Sequence, residues 1–164
     1  MTSTATSRDA LFEQVAASLG HRFDGEIRIG GNYSSAVENG NEIYISGQIP
    51  RVDTRVVVTG RVGAETSLDD GRYAAKICAM RALAILRQSL GSLARIKRIL
   101  RISVYVQSAA DFTQQSEVAD GASEILHTIF GSAGAHTRTS VGAYQLPKNA
   151  SVELDMIVVT DKAA

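Results

Sequence analysis

Tryptophan is absent from this 164-residue chain, and its five tyrosines and four phenylalanines are its only other large aromatics. A stacking platform for single-stranded nucleic acid needs more than that. Net charge is missing as well, since seventeen Lys and Arg balance seventeen Asp and Glu. A protein held to nucleic acid by bulk attraction carries a basic excess or one basic face, so a nucleic-acid partner is not expected. The one cysteine, Cys78, leaves no mate for an intramolecular disulfide and excludes Cys-rich zinc modules. No apolar run approaches the ~20 residues of a membrane-spanning helix. The opening Met1-Thr2-Ser3-Thr4-Ala5-Thr6-Ser7 has neither the basic nor the apolar region of a signal peptide, so a cytoplasmic location without membrane attachment is expected.

Catalytic signatures are equally sparse. His21, His127 and His136 offer no i,i+4 pair, and no metal site is expected from them. There is no Gly-x-Ser-x-Gly elbow, and Gly60-Arg61-Val62-Gly63 lacks the third glycine of a phosphate-binding loop. Cys78 falls in the middle of an expected helix among apolar neighbours, where a thiol is held protonated and inert. Covalent and cofactor-dependent chemistry are therefore not indicated.

What is present is an ordinary globular composition, 45% hydrophobic and 21% charged, in a length suited to one domain. Residues 1–7 read as a polar tail. From Arg8 to Leu19 the apolar positions Leu11, Val15 and Leu19, with Phe12 beside them, predict a short amphipathic helix stopped by Gly20. Strands are expected at Glu26-Ile27-Arg28-Ile29 and from Tyr33 to Val37. The second leads through an Asn39-Gly40 turn to Glu42-Ile43-Tyr44-Ile45-Ser46, and a further strand is expected over Arg55 to Thr59. Ser67 with Asp70 resembles a capping box, opening a helix to Leu90 ended by Gly91. Its stripe is Ala75, Ala79, Ala82, Leu83, Leu86 and Leu90, with Lys76, Arg81, Arg87 and Gln88 lying mostly away from it. A strand at Arg101 to Gln107, a helix from Gln115 to Phe130 and closing strands at Arg138 to Tyr144 and Ser151 to Thr160 complete the order. The pattern predicts an α+β domain with two main helices packed on one face of a mixed sheet.

Two features point beyond the fold. In the last strand Val152, Leu154, Met156 and Val158 share one face, leaving Glu153, Asp155, Ile157 and Val159 on the other. That second face is part acidic and part aliphatic, which suits burial against another copy of the chain with Glu153 beside a polar pocket. Arg138 lies among small residues next to a glycine-rich loop, and a guanidinium that is even partly buried demands an anion. The anion is either a substrate carboxylate or, structurally, Glu153 or Asp155. The basic run Arg95, Lys97, Arg98, Arg101 reads as a solvated lead into a strand, with a local RNA-backbone patch as the other reading.

Tyr33, Ile45-Ser46-Gly47-Gln48-Ile49-Pro50, Arg138-Thr139-Ser140-Val141, Leu146-Pro147 and Val152-Glu153-Leu154 resemble, in order and spacing from Gly31 to Val159, the RidA/YjgF family, also called the L-PSP endoribonuclease family. The resemblance implies a chorismate-mutase-like fold over residues 21–164, preceded by an N-terminal tail and helix over residues 1–20. It implies a homotrimer around a barrel-like centre with ligand clefts at subunit interfaces. The implied activity is hydrolysis of 2-enamines and 2-imines to 2-keto acids and ammonia, with no cofactor. On the matching positions, Arg138 would grip the substrate carboxylate and Glu153 would order or activate water. Ser46 and Gly47 would line the pocket, Tyr33 would stand at its mouth, and Ser140 occupies a position that is often cysteine. Asp120 stands where compact members tend to have asparagine. With the N-terminal helix and a longer Phe112-to-Asp120 segment, it marks a divergent branch. A non-catalytic carboxylate-binding protein and, less favoured, an RNA-directed endonuclease or translation inhibitor are the alternatives.

Overall fold

The computed structural model describes residues 5–161; most of the N-terminal tail expected at residues 1–7 lies outside them. The chain runs α1 (Arg8–Ser18), β1 (Ala36–Asn39), β2 (Glu42–Gln48), β3 (Arg51–Val52), β4 (Arg55–Val56), α2 (Leu68–Leu90), β5 (Ile96–Gln107), α3 (Gln115–Phe130), β6 (Thr137–Ala143) and β7 (Val152–Thr160). Five strands form one mixed sheet in the order β1-β2-β7-β5-β6. Only β5 and β6 are parallel, and α3 supplies the crossover that a parallel pair requires. All three helices join the buried cluster that packs against β2, β5 and β7, so the opposite face of the sheet is left open.

Local chemistry explains the long elements. At α2 the Ser67 hydroxyl accepts from the Asp70 backbone N–H at 3.1 Å while the Asp70 carboxylate accepts from the Ser67 N–H at 3.4 Å. This complete capping box satisfies donors that would otherwise be orphaned. Gly91 ends the helix at φ +82°, a left-handed conformation that a side chain would resist. The α3 face of Val118, Ala122, Ile125 and Ile129 is buried as its periodicity predicts. In β7 the alternation buries Val152, Leu154, Met156 and Val158 and leaves Glu153, Asp155, Ile157 and Val159 half-buried on the open face.

Four expectations are corrected. The strand expected from Tyr33 to Val37 forms only over Ala36–Asn39, and Tyr33 to Ser35 lie in the loop before it. Residues 26–29 form no strand: Ile27 packs on the core as part of a loop that crosses α2, held by Gln88 donating to the Gly25 carbonyl at 3.0 Å. Their alternation is satisfied by laying one side chain on the core, without a strand edge to pair with. Over Arg55 to Thr59 only Arg55–Val56 pairs, with Arg51–Val52 around Asp53 at φ +52°, and Thr59 makes an isolated bridge to Ala150. In α1 the deepest residues are Phe12 and Ala16, while Leu11, Val15 and Leu19 flank them. The helix is rolled so that the Phe12 ring is what it buries.

Candidate functional site

β7 presents Glu153 on the open face opposite Tyr105 of β5. On its other side the β2–β7 register shifts between Ile45 and Gln48, opening a gap in the ladder. Gly47 sits in that gap, and a Cβ there would overlap the Glu153 carboxylate oxygen. Only glycine lets the carboxylate lie against the β2 backbone. The cavity beside it, about 280 Å³, is lined by Glu153, Gly47, Gln48, Tyr33, Arg81 and Lys148 among others. No donor among the described residues bonds the Glu153 carboxylate. Burial, reinforced by the nearby Asp155 charge, holds its pKa above the ordinary glutamate value.

The rim is fixed by hydrogen bonds. Ser46 donates its hydroxyl to the Ser34 carbonyl at 2.6 Å and its N–H to Ser35 at 3.0 Å, tying down the segment that carries Tyr33. Tyr33 is 52% exposed at the mouth. On the far side, buried Gln107 clamps the loop after Leu146-Pro147. Its amide donates to Asn149 Oδ1 at 2.7 Å and its carbonyl accepts from the Leu146 N–H at 2.8 Å. Within that loop Lys148 and Asn149 both adopt left-handed φ, 59° and 57°. Consecutive non-glycine residues in this region cost conformational energy and cluster at functional sites.

Arg138 lies elsewhere. Its register partner on β5 is Ile102, a core residue, so its side chain leaves β6 on the helix-facing side. There Nη1 donates to Asp120 at 2.8 Å and Ser123 at 3.0 Å, and Nη2 to the Ser116 hydroxyl at 2.8 Å and the Ser116 carbonyl at 3.3 Å. Ser123 Oγ in turn meets His136 Nε2 at 2.9 Å, and His136 Nδ1 meets the Gly134 carbonyl at 2.6 Å. Burial lowers the His136 pKa, and a neutral ring with its proton on Nδ1 fits both contacts. Ser140, two residues on, shares the Arg138 face of the strand.

The sequence-predicted residues thus fall into two groups. Glu153, Gly47, Ser46 and Tyr33 come together at one cavity, and Arg138, Asp120 and Ser140 at another edge of the sheet. The structural partner expected for Arg138, Glu153 or Asp155, is corrected to Asp120, because those two acids leave β7 on the opposite face. Cys78 is fully buried with its thiol pushed well up by desolvation. Among the described residues no three His, Cys, Asp or Glu side chains cluster as a metal site, and no helix is long and apolar enough to cross a membrane.

Arg81 was missed. It is expected off the α2 stripe yet is only 7% exposed, since Gln48 and β3 cover the side of α2 that the sheet does not. The readable signal was the absence of an acid three or four residues away on either side, where Ile77, Cys78, Ala84 and Ile85 stand.

The mixed sheet, the helices on one face and the carboxylate seated on a bulged glycine define a small α+β protein with a cavity beside its central strand. Residues 14–158 match the family described as "YjgF/chorismate_mutase-like, putative endoribonuclease", and the chain belongs to it. Protein TCP17 of Trypanosoma cruzi is 41% identical over 77% of this chain and 80% of its own length. A 2-iminobutanoate/2-iminopropanoate deaminase of Dermatophagoides farinae is 30% identical over 80% of this chain and 88% of its own. The crystal structure of a protein of unknown function from Agrobacterium tumefaciens superposes with a TM-score of 0.83 at 35% identity, covering 94% of each chain. The fold is that of the YjgF/chorismate-mutase-like proteins.

Proposed function

We propose that the protein hydrolyses 2-imino acids and their enamine tautomers to 2-keto acids and ammonia, in clefts between the subunits of a homotrimer. The observation that carries this is the Glu153 carboxylate, held against Gly47 in a cavity, without a protein donor and with a raised pKa. Such a group is suited to take a proton from a water molecule. In the protonated iminium form, the water oxygen bonds to C2 while Glu153 takes one water proton and the C=N π pair moves to nitrogen, leaving a neutral carbinolamine. Glu153 then returns that proton to nitrogen, the C–N bond breaks as the hydroxyl oxygen forms the C2 carbonyl, and Glu153 takes the remaining hydroxyl proton and passes it to the departing ammonia, which leaves as ammonium. An imine already hydrolyses in water, so binding, orientation and one placed water are all the protein must add. The deaminase activity named for the mite relative supports the same chemistry.

Arg138 is the C1-carboxylate anchor in this reading, with Ser46, Tyr33 and Ser140 lining the cleft. Arg138 and Glu153 leave opposite faces of one sheet, so a site that uses both takes one from each of two chains. Asp120, half-exposed, is the carboxylate that substrate would displace, and a solvent-screened pair of this kind is cheap to exchange. That pairing is also what favours the second reading, a carboxylate-binding protein without turnover.

An amino-acid oxidase generating 2-imino acids in situ, with keto acid and ammonia followed over time, tests both. Wild type should accelerate release. Arg138→Ala should lose about 10- to 100-fold in kcat/KM, the worth of a charge-assisted pair of ~1.5–3 kcal/mol. Glu153→Gln should abolish most turnover while leaving carboxylate binding nearly intact. No acceleration by wild type across several imino acids would establish the binding reading instead.

A further inference from the structure

Arg81 is a desolvated cation with no carboxylate to neutralise it. Among the described residues its hydrogen bonds go only to neutral acceptors, Nε to Gln48 Oε1 at 3.3 Å and Nη1 to the Arg51 carbonyl at 2.9 Å. Nη2 has no acceptor among them. Removing a guanidinium from water costs several kcal/mol unless an anion compensates, and structural arginines at this depth normally have one. The neighbouring Arg51 is in a similar state: its Nε is sealed from solvent without an acceptor, alone among buried side-chain polar atoms of the described residues. Burial together with the Arg51 charge pulls the Arg81 pKa down, the mark of an environment short of negative charge.

Both arginines line the Glu153 cavity, as do Lys148 and Arg28, and Glu153 is the one acid lining it. Two other acids, Glu26 and Asp53, stand on the far side of Arg81 and Arg51 around a much smaller cleft of about 30 Å³, and neither forms an ion pair with them. Glu26 is engaged by Arg28 at 3.3 Å. The cavity that holds the water-activating carboxylate is thus built around unneutralised guanidinium, independently of Arg138. At about 280 Å³ it lies just below the usual range of small-molecule sites, ~300–1,000 Å³, which suits a short-chain acid.

We infer that Arg81, with Arg51 beside it, is an anion subsite that receives the side-chain carboxylate of a dicarboxylic 2-imino acid, making acidic imines the preferred substrate class. The inference rests on the imine-hydrolase reading for the word substrate, but not for the subsite. C2 of the ligand lies at Glu153, and its C1 carboxylate is the group assigned to Arg138. Its second carboxylate then reaches the planar donors of Arg81, the bidentate match for a guanidinium.

Two measurements on the full-length protein test it. The first compares kcat/KM for imino acids made in situ from glutamate or aspartate with those made from alanine or leucine. Wild type should favour the acidic imines by about tenfold or more, equivalent to ~1.4 kcal/mol. Arg81→Met should erase that preference by losing the acidic substrates alone, and Arg81→Lys should restore part of it. The second is calorimetric binding of 2-oxoglutarate against 2-oxobutanoate, which needs no turnover. Should Arg81→Met fail to fold, Arg51→Met serves, with a several-fold weakening of 2-oxoglutarate expected. If neutral and acidic imines are hydrolysed alike and both keto acids bind alike, the subsite is wrong and the hydrolase stands. If no imine is hydrolysed but 2-oxoglutarate still binds tenfold more tightly through Arg81, the hydrolase is wrong and the subsite stands.

Discussion

At Glu153, burial and the Asp155 charge pull the same way, and both disfavour the carboxylate form that the proposed hydrolysis uses. A carboxyl whose folded pKa exceeds its unfolded value binds its proton more readily in the folded protein. It therefore takes nothing from stability at pH below the unfolded pKa, and lowers stability increasingly as pH rises through the folded one. The cost is complete once the pH lies above the folded pKa. Glu153→Gln, which keeps shape and removes the charge, should raise Tm by roughly 1–4 °C at pH 7. The gain should shrink as pH falls toward the ordinary glutamate range. A Tm for the variant equal to or below wild type at pH 7 would show that the carboxylate has a stabilising partner. Gly47 belongs to the same arrangement, since it is the residue whose missing Cβ makes room for the acid.

Among the elements, the α2–α3 contact is the tightest point. A Cβ on Gly121 would overlap the Arg72 carbonyl of α2, which is helix backbone and cannot rotate away. Gly121→Ala should therefore separate the helices at a cost of about 1–3 kcal/mol despite alanine's better helix propensity. By thermal melting this is a fall in Tm of roughly 3–10 °C; an unchanged or raised Tm would mean the helices can slide. Elements with this much local definition were legible from residues alone. Ser67 with Asp70, Gly91, Gly131 and the burial period of α3 state where the helices begin, end and face. The strand expected at residues 26–29 was not legible as a loop, because alternation reports which side chains meet a core and not whether a strand edge lies alongside. The burial of Arg81 could not be read from the helix stripe, for a related reason. One stripe of alanines and leucines describes a helix buried on one side, and α2 is covered on a second side by residues 48–51, distant in the chain. At the site, the quoted motifs located Glu153, Gly47 and Tyr33 together, and the parity of β6 and β7 separated Arg138 from them.

At the scale of the whole molecule, the sheet has one face under helices and one face bare. Tyr44 and Val141 are 41% and 43% exposed there, with Tyr105, Ile157 and Val159 partly exposed between them. Scattered apolar residues need no explanation, but here the register pairs Tyr44 with Ile157 and Tyr105 with Val141 on one face, either side of Asp155, and grouped apolar residues mixed with charge suit an interaction surface. The homotrimer proposed above buries this face, so light scattering at micromolar concentration should give three times the chain mass. Ile157→Asp, which places a charge at the centre of the face, should shift the population to monomer and remove imine hydrolysis with it, since Glu153 and Arg138 then lose each other. A monomeric wild type would end both the assembly and the shared cleft.

The position of β7 has one more consequence, for biosynthesis. It is the last of the described strands and central in the sheet, between β2 and β5. On the ribosome, β1–β2 and β5–β6 are made before β7 and have no strand to join them into one sheet until it emerges. A nascent chain therefore cannot close this sheet before β7 has been made. Glu153 rides on that strand, so its carboxylate reaches its seat against Gly47 only with the finished sheet.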